Sequence, residues 1–179
     1  ISIYVNKNLI DYLLHLADSN LILAQQNAAW CGHGPILEQD IALTNITLDL
    51  IGQSRNYYQY AAELIGDGST EDSLAYLRTE RDYKNCLICE QPNGDWAQSI
   101  LRQFFFSVYQ QKLLTVLQTI ADSKLAAIAE KSLKEVNYHV RWSGEWVIRL
   151  GDGTEESKSR ILNAIDALWP FAGEMNEAV

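Results

Sequence analysis

With 179 residues, 14 Lys plus Arg against 23 Asp plus Glu and a formal net charge of −9, the chain is long enough to form one domain that buries its core without disulfides or metal. The acidity argues against a general affinity for nucleic acid or for an anionic membrane surface, and no uninterrupted apolar run reaches the length of a membrane span. Cys31, Cys86 and Cys89 are an odd set, a usage that fits reduced, buried thiols in a cytoplasmic protein better than a secreted disulfide framework.

Only Pro35, Pro92 and Pro170 interrupt the sequence, and between them apolar residues recur at three- and four-residue steps. That periodicity predicts an all-α protein. A first helix is expected from Asn8 as cap to about Trp30, with Leu9, Leu13, Leu16, Ala17, Ile22 and Leu23 as its apolar surface. Pro35 suits the first position of a second long helix that runs to Leu64 and stops at Gly66-Asp67-Gly68. Ser69 is the expected cap of a shorter helix through Leu74 and Leu77, followed by an irregular stretch ending at Gln91-Pro92-Asn93-Gly94. Asp95 opens a third long helix to about Ala121, and Ser123 a fourth to about Leu150. Gly151-Asp152-Gly153 closes the fourth, and a last helix starts near Thr154. Its pattern is still running at Val179, so the natural chain is expected to continue.

The candidate chemistry sits on the second and fourth long helices. Glu135-Val136-Asn137-Tyr138-His139 is half of a di-metal motif, and Asp49-Leu50-Ile51-Gly52 is a ruined counterpart. Di-iron bundles take a carboxylate from each of two helices and a Glu-x-x-His pair from each of the other two. Here the third residue after Glu135 is Tyr138, with His139 one step late, and the third after Asp49 is Gly52. Stepping back about thirty residues from each half-motif puts the remaining candidates at Asp18 and at Ser107, a poor iron ligand. Two iron cations in a low-dielectric core need several anionic oxygens and imidazoles, more than Asp18, Asp49, Glu135 and His139 supply. Buried carboxylates left without metal need neutralising, and Arg55, Arg102 and Arg141 are the candidates. The residues predict a di-iron fold that has lost its iron. Spacing alone also allows an ordinary hydrogen-bonded pair that fixes helix register.

Other motifs weigh less. Cys86-Leu87-Ile88-Cys89 lacks a second ligand pair, so buried apolar thiols are expected rather than zinc or redox chemistry. Arg78, Arg81 and Lys84 could meet phosphates, but a solvated surface cluster is the expectation. Trp142 and Trp146, four apart, form a stripe with at least one indole expected in the core.

Specific strings then carry a resemblance. Trp30-Cys31-Gly32-His33, the run from Asp40 through Asn45, Asp49, Gly52 and Gln53 to Arg55-Asn56, Glu90-Gln91-Pro92-Asn93-Gly94, and Lys134-Glu135 followed by Tyr138-His139 resemble the structural subunits of the bacterial phenylacetyl-CoA epoxidase family. The resemblance implies a ferritin-like four-helix bundle of two antiparallel hairpins with extra helices, spanning residues 1–179 as a single domain. It implies a non-catalytic scaffold, with no cofactor of its own, supporting a related catalytic subunit. That subunit would hold the di-iron centre for ring oxygenation in phenylacetate degradation. An NADPH-dependent reductase and small accessory subunits complete the implied partners, with a homodimer in isolation as a further expectation and no nucleic acid or membrane among the partners. The alternatives are a self-sufficient di-iron oxidase using Asp18, Asp49, Glu135 and His139, and a homodimeric helical protein with a small ligand in the degenerate pocket. One sequence does not identify an interface anchor, and Trp30, Trp142, Trp146 and the Tyr57-Tyr58 pair are the first candidates to test.

Overall fold

A computed structural model describes the backbone of residues 2–176 and the side chains of residues 7–175. Among the described residues every regular element is helical: α1 (Ser2–Ala28), α2 (Leu37–Ile65), α3 (Glu71–Tyr76), α4 (Trp96–Leu117), α5 (Ser123–Gly151) and α6 (Glu155–Ala172), with 3-10 turns at Glu80–Asp82, Leu87–Glu90 and Glu174–Asn176. No helix among them is long and apolar enough to cross a membrane.

Most boundaries follow from capping chemistry. The Asp95, Asp122 and Thr154 side chains accept hydrogen bonds from the first-turn N–H groups of α4, α5 and α6, satisfying donors a helix start leaves open. α2 ends where Gly66 takes the left-handed conformation, φ 67°, and its N–H reaches the Ala62 carbonyl. Three expected starts differ. α1 already runs at Ser2, because Asn8 lies on an exposed position where a polar side chain interrupts nothing. α2 starts at Leu37 after an extended Ile36 rather than at Pro35. There Asp40 reaches back to the Gly34 N–H at 3.3 Å, and a Cβ on Gly34 would stand 2.9 Å from that of Asp40. α3 is capped by Thr70 in a reciprocal capping box with Ser73, while Ser69 bonds to Asp67 instead.

The bundle is two hairpins. α1 packs along α2 and α4 along α5, α2 faces α5 across the middle, and α6 lies on α4. One apolar cluster joins Leu13, Ala17, Tyr57, Leu114, Ala129 and Val136, and a second joins Leu23, Ile46, Leu50, Ile100, Phe106 and Trp142. Between them along each long helix lies a band of buried polar side chains, among them Asn20, Gln53, Ser107 and His139.

The second cluster ends in an indole lock. The ring of Trp96 meets those of Trp30, Trp142 and Trp146 edge-on, with centroids 5.2, 6.2 and 5.7 Å away. The Gln39 side-chain carbonyl accepts from the indole N–H groups of Trp142 and Trp146 at 3.1 and 2.7 Å, and Trp30 donates to Ser99 at 2.9 Å. Trp30, Trp142 and Trp146 therefore hold this chain's own helices together, and Tyr57 and Tyr58 are buried. Tyr57, Tyr58 and Trp142 are therefore withdrawn from the surface, while Trp30 and Trp146 remain half-buried.

The thiols divide two to one. Cys86 and Cys89 are buried, while Cys31 is exposed with its Sγ 3.0 Å from the Thr44 hydroxyl, against the expectation that all three are buried. Burial pushes the Cys86 thiol up and that of Cys89 well up, so neither offers a reactive thiolate. His15 Nδ1 lies 2.7 Å from the Lys84 carbonyl and so carries the hydrogen there, leaving Nε2 to face Cys86 Sγ at 3.8 Å. We expect an aromatic disulfide reagent to modify Cys31 alone in the native protein and all three thiols in denaturant. Rapid native labelling of Cys86 or Cys89, read by peptide mass, contradicts this packing.

Candidate functional site

The polar band brings one residue from each long helix to the centre of the bundle. On α5, Glu135 Oε2 accepts from Gln53 Nε2 of α2 at 2.9 Å. Gln53 Oε1 lies 3.4 Å from Gln110 Nε2 of α4, which also donates to Asn20 Oδ1 of α1 at 2.6 Å, and Asn20 Nδ2 donates to the Leu16 carbonyl. A second cross-helix pair lies one turn further along: His139, fully buried, approaches Asp49 Oδ2 with Nε2 at 2.9 Å, while the Asp49 side chain stays 35 % exposed. Because Nε2 faces a carboxylate, it carries a hydrogen and donates. His139 Nδ1 and Gln110 Oε1 are buried and have no hydrogen-bond partner. Ser107 Oγ accepts from Gln103 Nε2 at 2.8 Å, and Gln103 Oε1 accepts from Asn27 at 2.7 Å.

Asp18 stands apart from this band. It is fully buried, and its carboxylate accepts from the Tyr58 hydroxyl, from the Lys84 backbone N–H at 2.8 Å and from both terminal nitrogens of Arg78, Nη1 at 3.0 Å. Burial alone would lower the Arg78 pKa, but its bonds to Asp18 more than offset that and raise it. Burial first, and the Asp18 charge second, push the Tyr58 phenol well above its ordinary value. Asp18 is thus satisfied by a bidentate guanidinium, a phenol and a backbone amide, four hydrogen bonds on its two oxygens.

Several expectations need correcting. The counter-ion of Asp18 is Arg78, from the crossover cluster expected to be solvated charge, and not Arg55, Arg102 or Arg141. Arg55 pairs with Glu71, buried Arg102 donates to the Gln91 carbonyl and Asn93, and Arg141 lies over the Tyr138 ring. Gly52 and Tyr138 do not stand where ligands would project: both are on the outer face, and the inward residues are their successors Gln53 and His139. At 100° per residue the expected ligand positions are one residue out of phase. Gly52 is in mid-helix, and a Cβ built on it meets nothing within 4 Å. Glycine there costs about 1 kcal/mol relative to alanine, and nothing inside the chain explains it.

The residues that sequence reasoning missed were nonetheless signalled. Gln53 falls in phase with Ile46, Leu50 and Tyr57, Gln110 with Phe106 and Leu114, and Asn20 with Leu13, Leu16 and Leu23. An amide on each inward stripe marks a polar layer.

This donor set does not fit a di-iron pair, whose ligation needs several anionic oxygens and imidazoles. Neutral amides hold the central positions of three helices, Asp18 is committed to Arg78, and Glu135 and Asp49 are each bonded to a different partner. Among the described residues no three His, Cys, Asp or Glu side chains converge where a metal ion could sit. The void beside His15, Asn20 and Gln110 measures about 10 Å³, room for about one water molecule and none for an organic ligand. A groove of about 610 Å³ lies elsewhere, on the outer face of α4 along Phe105, Val108 and Val116.

Fold and site together define a ferritin-like helical bundle whose central polar side chains are bonded to one another. The chain belongs to the phenylacetic acid catabolic protein family, whose model matches residues 4–179. It is 48 % identical over 167 residues to a subunit of 1,2-phenylacetyl-CoA epoxidase from Escherichia coli (strain K12), a match that covers 93 % of this chain and 67 % of that protein.

Proposed function

We propose that this chain is the non-catalytic, structural subunit of a multicomponent phenylacetyl-CoA 1,2-epoxidase. In this reading it holds no metal and supports a related ferritin-like subunit that carries the di-iron centre, with electrons arriving from NADPH through a separate reductase. One observation carries the reading: the relay Asn20, Gln110, Gln53, Glu135 takes one side chain from each long helix and commits it to a neighbour. The layer that would ligate metal in an active bundle thereby becomes a register device. Similarity to a protein named as an epoxidase subunit supports the same reading.

A scaffold of this kind contributes through interface area and rigidity rather than through reacting groups. Co-expression with the related catalytic subunit tests it. The two chains should purify together, and ring oxygenation by the reconstituted system should require this chain while the iron stays with the other. Failure to associate, or oxygenation by this chain with the reductase alone, overturns the proposal.

A further inference from the structure

We propose that the outward face of α2, from Leu37 to Gly52, seats a helix of the related catalytic subunit. That helix would carry a bulky apolar side chain over the glycine and basic residues along its flanks. The inference rests on the structural-subunit reading and names the surface through which it acts.

Leu37, Ile41, Leu48 and Ile51 are exposed by 71, 52, 60 and 43 %. With half-buried Thr44 they follow a strict alternation of four- and three-residue steps along α2, the spacing by which one helix offers a seam to another. These side chains point away from the core that Ile46, Leu50 and Tyr57 make on the opposite side of the same helix. Among the described residues no other helix exposes more than two large apolar side chains.

Gly52 lies one turn beyond Leu48 on this seam, exposed and without a neighbour for a Cβ. A glycine kept in the middle of a long helix, against helix propensity and with open space around it, is accounted for by a second chain approaching the backbone from outside. It leaves a notch beyond Leu48 that a large side chain can fill.

Charge selects the occupant. At 100° per residue Asp40 flanks the seam on one side and Glu38 on the other, while the Asp49 carboxylate is turned toward α5 and held by His139 at 2.9 Å. The basic residue on the seam, Arg55, is already held by Glu71 at 3.3 Å. A second copy of this chain, net charge −9, would bring acid to acid, whereas a basic-flanked helix from a different subunit is complementary.

The test uses the full chain and the purified catalytic subunit, with binding measured by calorimetry and the melting temperature of each isolated variant recorded alongside. Gly52→Leu should leave the isolated chain at least as heat-stable as wild type, since leucine is a better helix former and has room, yet weaken binding by about tenfold or more. Leu48→Asp should weaken binding similarly, and Leu162→Asp, on α6, should not. If wild type binds and Gly52→Leu and Leu48→Asp bind within about twofold of it, the seam is not the docking surface, although the structural-subunit reading stands. If wild type does not bind the catalytic subunit at all, that reading falls and this inference with it. If sedimentation shows Gly52→Leu splitting a homodimer while binding to the catalytic subunit is unchanged, a second copy is the occupant and the proposal is overturned.

Discussion

Replacing Arg78 with methionine is expected to remove about 3–5 kcal/mol of folding stability, the usual consequence of leaving a buried charge without its partner. Asp18 has no access to solvent, and Arg78, 14 % exposed at its side chain, supplies the bidentate pairing from the crossover between the hairpins. Without the guanidinium, the Tyr58 hydroxyl and the Lys84 N–H are left to stabilise an anion in a low-dielectric site, and the chain must protonate Asp18 or open around it. The double replacement Asp18→Asn with Arg78→Met should recover much of the loss, because an amide carries no net charge to bury. Urea unfolding of the two single variants and the double variant measures this. A loss below about 1 kcal/mol for Arg78→Met would mean that the pair behaves as a surface ion pair.

Truncating Trp96 to alanine is expected to cost about 3–5 kcal/mol, the range for removing a large aromatic from a packed cluster. Trp96 opens α4 and touches Trp30 beyond α1 and Trp142 and Trp146 on α5, while Gln39 of α2 ties the last two by their N–H groups. The turn after α1 and the other three long helices thus meet at this one ring and its neighbours. Trp96→Phe should retain about half or more of the lost stability, since the phenyl ring keeps edge contacts and Trp96 Nε1 has no partner to forfeit. Should Trp96→Ala unfold within about 1 kcal/mol of wild type in denaturant, the indole lock is not what closes this end of the bundle.

Much of the architecture was legible in the sequence, for identifiable reasons. Apolar steps of three and four, with Asp95 and Thr154 beside them, mark helices whose starts are set by local chemistry, and the cap of α5 is Asp122, one residue before the expected Ser123. The crossover was less legible. Arg78 lies in an irregular stretch, so no periodicity links it to Asp18, sixty positions away in the chain, and a charge run there reads as solvated surface. The half-motifs fall on two of the helices that carry the polar band, but one residue out of phase with it. A shift of one residue rotates a helical side chain by about 100°, enough to exchange Gly52 for Gln53 and Tyr138 for His139 at the centre. Spacing rules taken from metal-binding bundles carry that error, because they assume that Glu135 still anchors a Glu-x-x-His pair. The amides Asn20, Gln53 and Gln110 are visible on the inward stripes, yet nothing in one sequence states that they touch one another.

Iron content measures the central claim directly. The isolated chain, loaded anaerobically with excess ferrous iron and desalted, should retain well below about one iron per chain, with no absorption from an oxo-bridged pair after exposure to air. Retention of about two irons per chain, lost on Glu135→Ala, would contradict the account.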